Sequence, residues 1–397
     1  MKISTRCARP ANGRDPFGAV SPPIYQTATF CQPSAVEFGE YDYSRTANPT
    51  RALAEEQLAA LEGGRYACAF ASGMAAITAV TRLVQSGEEI LAGDDLYGGT
   101  IRLLSQVAPR QGIAVRWVDT TDPAAVAAAI SPATRLLLVE TPTNPLLRIV
   151  DLERIAGIVR PRGVLLAVDN SLLSPCLQRP LAFGADLVIH SATKFLCGHG
   201  DVCAGAVVTS EAELHQRLAF HLNAEGTGLA PFDSWLLLRG MRTLALRVER
   251  QCASARRIAE ILAGHPEVRQ VFFPTLAAPA ARQVHERQAS GPGAVISFTT
   301  GDADLSRRIV EAARLFTIAV SFGSIGSSIS LPCRMSHASV PAELRGRLGP
   351  PPDLVRLSVG IEDVDDLIAD LEQALDAAAN TPDSASARHR SPAPLRS

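Results

Sequence analysis

The sequence lacks an excess of charge of either sign, and it lacks long apolar runs. Its 397 residues carry 38 basic and 40 acidic side chains, a formal net charge of −2. A protein that binds nucleic acid or a membrane surface would show a basic excess or stripe, so neither partner is expected. No apolar run approaches the roughly 18 residues of a membrane helix. The first residues are polar, without the apolar stretch of a signal peptide, which favours a cytoplasmic protein.

Paired cysteines and dinucleotide-binding glycines are also missing. The eight cysteines are scattered without a CxxC pair, which indicates reduced, mostly buried thiols. No GxGxxG follows a strand and opens a helix, so a nicotinamide dehydrogenase is disfavoured. Five side chains of types that can bind a metal are close in sequence, namely His190, Cys197, His199, Asp201 and Cys203. Their types are mixed and their spacing matches no familiar zinc motif, so we expect no metal.

Lysine is almost absent. Only Lys2 and Lys194 occur, and the other basic residues are arginine. Arginine stays protonated, whereas an ε-amine can lose its proton and form a Schiff base. The alternative is that codon drift replaced most lysines and happened to spare one on the surface. The residues around Lys194 decide between these two explanations.

Short apolar runs alternate with amphipathic segments from about residue 50 to 230. This alternation predicts an α/β fold with a mostly parallel seven-stranded sheet covered by helices on both faces. The predicted strands are Tyr66–Phe70, Glu89–Ala92, Ala114–Val118, Leu136–Glu140, Val164–Asp169, Leu187–His190 and Ala204–Thr209.

The pattern changes near residue 231. A helical stretch over Phe232–Gly264 and three later strands (Val268–Phe273, Ala294–Thr299, Val355–Val359) predict a smaller α+β domain. We therefore expect an arm at 1–46 that packs on another surface, an α/β domain at 47–231, an α+β domain at 232–379 and a disordered tail at 380–397.

Polar residues follow the predicted strands where a parallel sheet meets its ligands. Lys194 comes just after Leu187–His190, and Asp169 ends Val164–Asp169. A lysine and an aspartate in one crevice suit pyridoxal phosphate, because the amine binds the aldehyde and the carboxylate keeps the ring nitrogen protonated. Taken alone, Asp169 is more simply a strand-end turn residue.

Three further features fit the same cofactor. Ser72 is a plausible helix cap, and the amides of Gly73 and Met74 behind it would form an anion site. The hydroxyls of Ser191 and Thr193 can bind phosphate, and the ring of Tyr97 can stack on a cofactor. Each feature alone is equally an ordinary cap or a rim side chain.

Together these segments resemble the Cys/Met-metabolism family of pyridoxal-phosphate enzymes, which includes cystathionine lyases and synthases, methionine γ-lyase and O-acylhomoserine sulfhydrylases. The resemblance implies an aspartate-aminotransferase-type fold (fold type I) and a homotetramer built from two catalytic dimers. It covers nearly the whole chain, through PPIYQTATF (22–30), YSRTANPT (43–50), ASGMAAI, LYGGT, ETPTNP (140–145), VDN, HSATK, GHGDVCAGA (198–206) and LVRLSVGIED (354–363).

The resemblance also implies roles for individual residues. Lys194 would be the Schiff-base lysine, Asp169 the partner of the ring nitrogen and Tyr97 the stacking ring and an acid. The other implied groups are a phosphate cup of Gly73, Met74, Ser191 and Thr193, completed by Tyr43 and Arg45 of a neighbouring subunit, and a substrate-carboxylate site of Asn144, Arg356 and Ser327.

The substrate is less clearly indicated. Gly99 matches cystathionine-processing relatives, whereas methionine γ-lyases commonly carry cysteine there. Gly326 stands where a glutamate often sits in this family, one that can meet the distal amino group of cystathionine; its loss weakens the case for cystathionine and leaves room for methionine or homocysteine. Arg334 could meet an acidic substrate or be a solvated surface residue.

On balance we expect α,γ-elimination on an amino acid of the L-methionine or L-cystathionine type, giving 2-oxobutanoate, ammonia and a thiol. A γ-replacement enzyme of the cystathionine γ-synthase or O-acylhomoserine sulfhydrylase type is one alternative, and a cystathionine β-lyase is another.

Overall fold

A computed structural model describes residues 1–9 and 17–380. Its larger sheet has the strand order β1-β7-β6-β5-β4-β2-β3. Strand β7 is antiparallel to both of its neighbours, and the remaining pairs are parallel. The predicted α/β fold is therefore confirmed. The strands are β1 Tyr66–Phe70, β2 Glu89–Gly93, β3 Ala114–Val118, β4 Thr134–Glu140, β5 Leu165–Asp169, β6 Leu187–His190 and β7 Gly205–Thr209.

A second sheet of five strands follows, in the order β10-β11-β12-β9-β8. Only β10 and β11 pair in parallel. The bounds are β8 Gln270–Phe272, β9 Val295–Thr299, β10 Thr317–Ile318, β11 Ser328–Ser330 and β12 Leu354–Ser358. The short strands β10 and β11 carry too few residues to show a period of two, and the sequence did not predict them.

Helices cover both faces of the large sheet and pack against the small one, because apolar side chains of the central strands are buried on each face. Their bounds are α1 Ile3–Ala8, α2 Pro49–Glu62, α3 Gly73–Thr81, α4 Gly98–Arg102, α5 Pro123–Ala129, α6 Leu152–Val159, α7 Ser174–Leu177, α8 Ala212–Glu225, α9 Pro231–Met241, α10 Leu244–Gly264, α11 Pro279–Gln288, α12 Ala303–Ala312, α13 Arg345–Leu348 and α14 Val364–Ala379.

Two helix predictions need correction. The stretch predicted as one helix over Phe232–Gly264 is two helices that separate at Arg242 and Thr243. The arm contains a helix, α1, which packs on α2 and α10 of its own chain. Its Cys7 is buried and Arg6 donates to the carbonyl of Ala60 at 2.9 Å, so this part of the arm is held by tertiary contacts.

The predicted domain boundaries stay predictions, although α9 begins at the predicted boundary near residue 231. All but the first residue of the predicted tail lies outside the described residues. Within residues 1–9 and 17–380, the structure shows no helix of the length and apolarity that would span a membrane. The parallel strands β2, β4, β5 and β6 end at one edge of the large sheet, and this edge carries the site.

Candidate active site

A cavity of about 430 Å³ opens where this edge meets loops of the smaller sheet. Tyr43, Arg45 and Ser327 do not line it. The other residues predicted for the site all do, and these are Gly73, Met74, Tyr97, Asn144, Asp169, Ser191, Thr193, Lys194 and Arg356. Folding thus brings together residues that are spread over more than two thirds of the chain.

Lys194 follows β6 and reaches into the cavity. Its Nζ donates a hydrogen bond to Oγ of Ser321 and lies 5.0 Å from the centre of the Phe322 ring. Burial lowers the pKa of Lys194 to about 8, and the nearby charge of Arg356 adds to this effect. A substantial share of this amine is therefore neutral near pH 8, as a Schiff-base lysine or a proton acceptor requires.

Two carboxyl groups end adjacent strands at the floor of the cavity. Asp169 and Glu140 are register partners on β5 and β4. Burial raises the pKa of Asp169, while hydrogen bonding from Ser171 and the charges of His190 and Lys194 oppose that rise. Burial and the charge of Asp169 raise the pKa of Glu140 well above its usual range. Glu140 also accepts a hydrogen bond from the backbone N–H of Tyr97 at 3.0 Å. The strand-end argument that found Asp169 could also have found Glu140.

The first turn of α3 forms an anion cradle. Ser72 caps the helix by accepting from the N–H of Ala75 at 3.1 Å, and the amides of Gly73 and Met74 have no acceptor within the helix. A Cβ at position 73 would lie 2.8 Å from Cβ of Ser191, so glycine permits the close approach of the helix to this serine. Thr193 donates its hydroxyl to the carbonyl of Ala204 at 3.1 Å, so it must rotate to donate to an anion.

Arg356 lies at the base of the cavity and is 2% exposed. Its guanidinium donates to Oδ1 of Asn144 at 2.8 Å and to the carbonyl of Ser321 at 2.9 Å, and it lies 5.4 Å from the centre of the Phe322 ring. Burial lowers its pKa to about 10, so it is still a cation at neutral pH. A fixed, buried guanidinium beside an amide is suited to bind a carboxylate through two hydrogen bonds.

The assignment of Ser327 to the carboxylate site is corrected by the structure. Its hydroxyl donates to Glu362 at 2.9 Å and accepts from the N–H of Gly360 at 2.8 Å, away from the cavity. The serine that contacts both Lys194 and Arg356 is Ser321, at the start of the same loop. The serine-rich loop offers several candidates in sequence, and only the fold of the loop selects among them.

Two arguments about the substrate also change. Gly326 does not itself line the cavity, and a Cβ built there meets no atom within 4 Å. The residues of this loop region that line the cavity are Val320, Ser321 and Phe322. Arg334 is exposed outside the lining, whereas Arg102 at the end of α4 is an exposed part of it.

Comparison with known proteins identifies the family. The chain matches the Cys/Met metabolism PLP-dependent enzyme family over residues 4–376. It belongs to that family. The expected resemblance, the fold type and the cofactor are confirmed with it.

Relatives of this PLP-dependent enzyme carry several activities. A chloroplastic cystathionine beta-lyase of Arabidopsis thaliana is 53% identical over 93% of this chain and 80% of that protein. A cystathionine gamma-lyase of Bacillus subtilis is 48% identical over 92% of this chain and 96% of that protein. The crystal structure of a Xanthomonas oryzae cystathionine gamma synthase in complex with cystathionine matches with a TM-score of 0.93 and 43% identity, over 96% of this chain and all of that one.

The cavity fits pyridoxal phosphate in three respects. Lys194 supplies an amine with a lowered pKa. Asp169 supplies a buried carboxyl to which no cation is hydrogen-bonded among the described residues. Helix α3 supplies an anion cradle that a side chain at position 73 would close. A cationic ring nitrogen against Asp169 would offset the cost of burying that carboxylate. Within the described ranges, no three His, Cys, Asp or Glu side chains are grouped as a metal site would require.

The pKa of Lys194 predicts how the apoenzyme takes up its cofactor. The neutral amine attacks the aldehyde, so the uptake rate should rise about tenfold per pH unit below pH 8 and level off above it. Stopped-flow absorbance between pH 6 and 10 measures this rate. A midpoint near 10.4, the ordinary value for lysine, would contradict the prediction.

Proposed function

We propose that this enzyme cleaves L-cystathionine by α,β-elimination, taking up one water and releasing homocysteine, pyruvate and ammonia. The observation that carries the proposal is the presence of two guanidinium groups in one cavity, Arg356 buried at its base and Arg102 exposed in its lining. Cystathionine has a carboxylate at each end, and arginine is the preferred partner for carboxylates. The 53% identity with a cystathionine beta-lyase supports β- over γ-elimination.

The chain's own residues divide the work. Arg356 and Asn144 bind the α-carboxylate of the half that is cleaved, and Arg102 meets the carboxylate of the homocysteine half. Asp169, Lys194 and the cradle at α3 hold the cofactor. Bound pyridoxal phosphate supplies an electron sink for the pair left when a proton departs from Cα.

Two side chains handle protons. Lys194 accepts the Cα proton, and Ser321 orients its amine. The C–S bond then breaks, the sulfur leaves with the bonding pair, and we assign the phenol of Tyr97 as the group that protonates it. Tyr97 lines the cavity and its backbone is anchored by Glu140 at 3.0 Å. This route needs only these two proton-handling groups.

A second candidate is α,γ-elimination of the same substrate, the reaction favoured by the sequence. The 48% identity with a cystathionine gamma-lyase supports it. It uses the same residues but also requires removal of a Cβ proton, and its products are cysteine, 2-oxobutanoate and ammonia.

A product assay separates these reactions. The holoenzyme with L-cystathionine is expected to form pyruvate and homocysteine in equal amounts, measured by chromatography of the keto acids and thiols. 2-Oxobutanoate with cysteine would replace the proposal by γ-elimination. Neither keto acid, together with condensation of an O-acylhomoserine and cysteine, would indicate γ-replacement instead.

Arg102→Met tests the distal carboxylate site within the same assay. We expect the KM for cystathionine to rise about tenfold, because one charged hydrogen bond is lost. The KM for S-ethyl-L-cysteine, which has a single carboxylate, should not change. An equal effect on both substrates would contradict the assignment of Arg102.

We also propose a homotetramer of two catalytic dimers, in which Tyr43 and Arg45 complete the phosphate cup of the neighbouring subunit. In their own chain both lie outside the cavity, Tyr43 is 40% exposed, and the Arg45 guanidinium lies 5.1 Å from the centre of the Tyr43 ring. These are side chains available to a second subunit. A cytoplasmic location stays a prediction, since the A. thaliana relative is chloroplastic.

Subunit complementation tests the shared site. Dimers that carry Arg45→Ala in both chains, or Lys194→Ala in both chains, should have little or no activity. A mixed dimer should recover about half of the wild-type activity, because one of its sites has an intact lysine and an intact partner arginine. Absence of recovery in purified mixed dimers would show that Arg45 acts in its own chain.

A further inference from the structure

A buried acid–histidine pair lies behind the active site. Glu62, the last residue of α2, is 1% exposed, and so is His190, the last residue of β6. Oε1 of Glu62 lies 2.6 Å from Nε2 of His190 and accepts a second hydrogen bond from Asn170 at 2.9 Å. Within the part of the chain that the structure describes, Oε2 of Glu62 is buried without a hydrogen-bond partner.

This pair is separated from the cavity by the sheet itself. Side chains alternate between faces along a strand, and Asp169, which lines the cavity, is followed by Asn170, which contacts Glu62 on the other face. His190 extends β6 by one residue beyond Ile189, the register partner of Asp169. The pair therefore lies against the strand ends that carry Asp169 and, through Ser191, Lys194.

The arrangement is costly for stability alone. A buried ion pair often contributes less than apolar side chains of similar volume would. A carboxylate at the end of a helix also meets the negative end of the helix dipole, and Glu62 occupies this position. Among the residues that the structure describes, His190 and Asn170 are the groups that hydrogen-bond Glu62 and offset these costs, which points to a role beyond packing.

Asp169 is the group that benefits. Burial raises the pKa of Asp169 and so disfavours its charged form, while hydrogen bonding from Ser171 opposes that rise. The groups of opposite charge that act on Asp169 are Lys194, on the cavity face, and His190, behind the sheet. Lys194 no longer has a free ammonium group once it is bound to the cofactor, whereas His190 stays in place behind the sheet.

We infer that Glu62 and His190 are positioning residues for Asp169: Glu62 holds His190 as an imidazolium, and this charge keeps Asp169 ionised against the ring nitrogen of the cofactor. Asn170, bound to the same Glu62 oxygen, fixes the backbone next to Asp169. The inference rests on the cofactor and on Asp169 as its partner, and it does not depend on which substrate is cleaved.

Glu62→Gln is the decisive variant, because glutamine preserves the shape and an accepting oxygen but removes the negative charge. Holoenzyme prepared with pyridoxal phosphate labelled with ¹⁵N in the ring is examined by NMR. We expect the ring nitrogen of the variant to shift toward its unprotonated position. The kcat should fall about tenfold with KM unchanged, a loss of the size seen when a group supporting a catalytic ligand is removed.

The control is His285→Gln, which alters another buried histidine, bonded to the carbonyl of Gly291 at 2.9 Å and outside the cavity lining. It should leave the ring nitrogen unchanged. A merely structural role for Glu62 would lower thermal stability or cofactor occupancy and leave the ring nitrogen of the remaining holoenzyme protonated, which would overturn the inference.

A second measurement covers the case in which Glu62→Gln does not fold. The ¹⁵N resonances of the histidines of wild-type apoenzyme are recorded at pH 8, with His190 assigned from a His190→Gln sample. An imidazolium pattern for His190 is expected at this pH, and a neutral ring would overturn the inference. Neither measurement uses substrate, so failure of the cystathionine proposal would leave both results interpretable.

Discussion

Lys194→Ala is expected to lower kcat by about 10⁴-fold or more and to remove the covalent link to the cofactor. The size follows from the proposed role of this amine in proton transfer, where a positioned base contributes up to about 10⁴-fold, and from its proposed role in holding the cofactor. Ser321 and Phe322 cannot replace it, because neither has an amine. Bound cofactor should lose the visible absorption that depends on its bond to the lysine.

The scarcity of lysine makes this experiment clean. Borohydride reduction of the wild-type holoenzyme should attach the cofactor to the peptide that contains Lys194, and peptide mass spectrometry needs to distinguish only two lysines. Lys2→Arg, at the exposed N-terminus, is the matched control and should keep full activity. Covalent label in the Lys194→Ala variant, at Lys2 or elsewhere, would refute the assignment.

Arg356→Lys is expected to lower kcat/KM roughly 30-fold to 4,000-fold. Breaking a buried charged pair costs about 2–5 kcal/mol, which converts to this range. The guanidinium donates hydrogen bonds to Asn144 and to the carbonyl of Ser321 and still has N–H groups for a substrate carboxylate. The ammonium group of lysine cannot reproduce this planar, forked arrangement of donors. Loss of the forked two-donor contact should appear mainly in KM, because the carboxylate is bound equally before and during the reaction.

Arg334→Lys provides the matched control. Arg334 is exposed and lies outside the cavity lining. Its replacement by lysine is the same chemical change, made away from the site. Steady-state kinetics on cystathionine should be unchanged for this control. A loss of less than about threefold for Arg356→Lys would mean that the carboxylate is bound elsewhere, with Arg102 as the first residue to test.

Prediction of the fold from sequence was most successful where burial and pattern agreed. Apart from the edge strand β3, the strands of the large sheet are buried over most of their length and bounded by polar turns, and the limits of all seven differ from the predicted ones by only a few residues. Prediction failed at short elements. Strands β10 and β11 and helix α1 carry too few residues for a period to appear, and tertiary contacts rather than local preference hold them.

The sequence by itself determined the fold class and the family, and it singled out Lys194 and Asp169, which the structure brings into one cavity. These follow from local patterns and from motifs at strand ends, where chain direction alone places the side chains at one edge of the sheet. Only the tertiary structure decided which serine meets Lys194, that Arg102 rather than Arg334 lines the cavity, and that Glu62 lies behind Asp169. Each depends on a contact between segments distant in sequence, in loops or across the sheet, and no local period encodes such a contact.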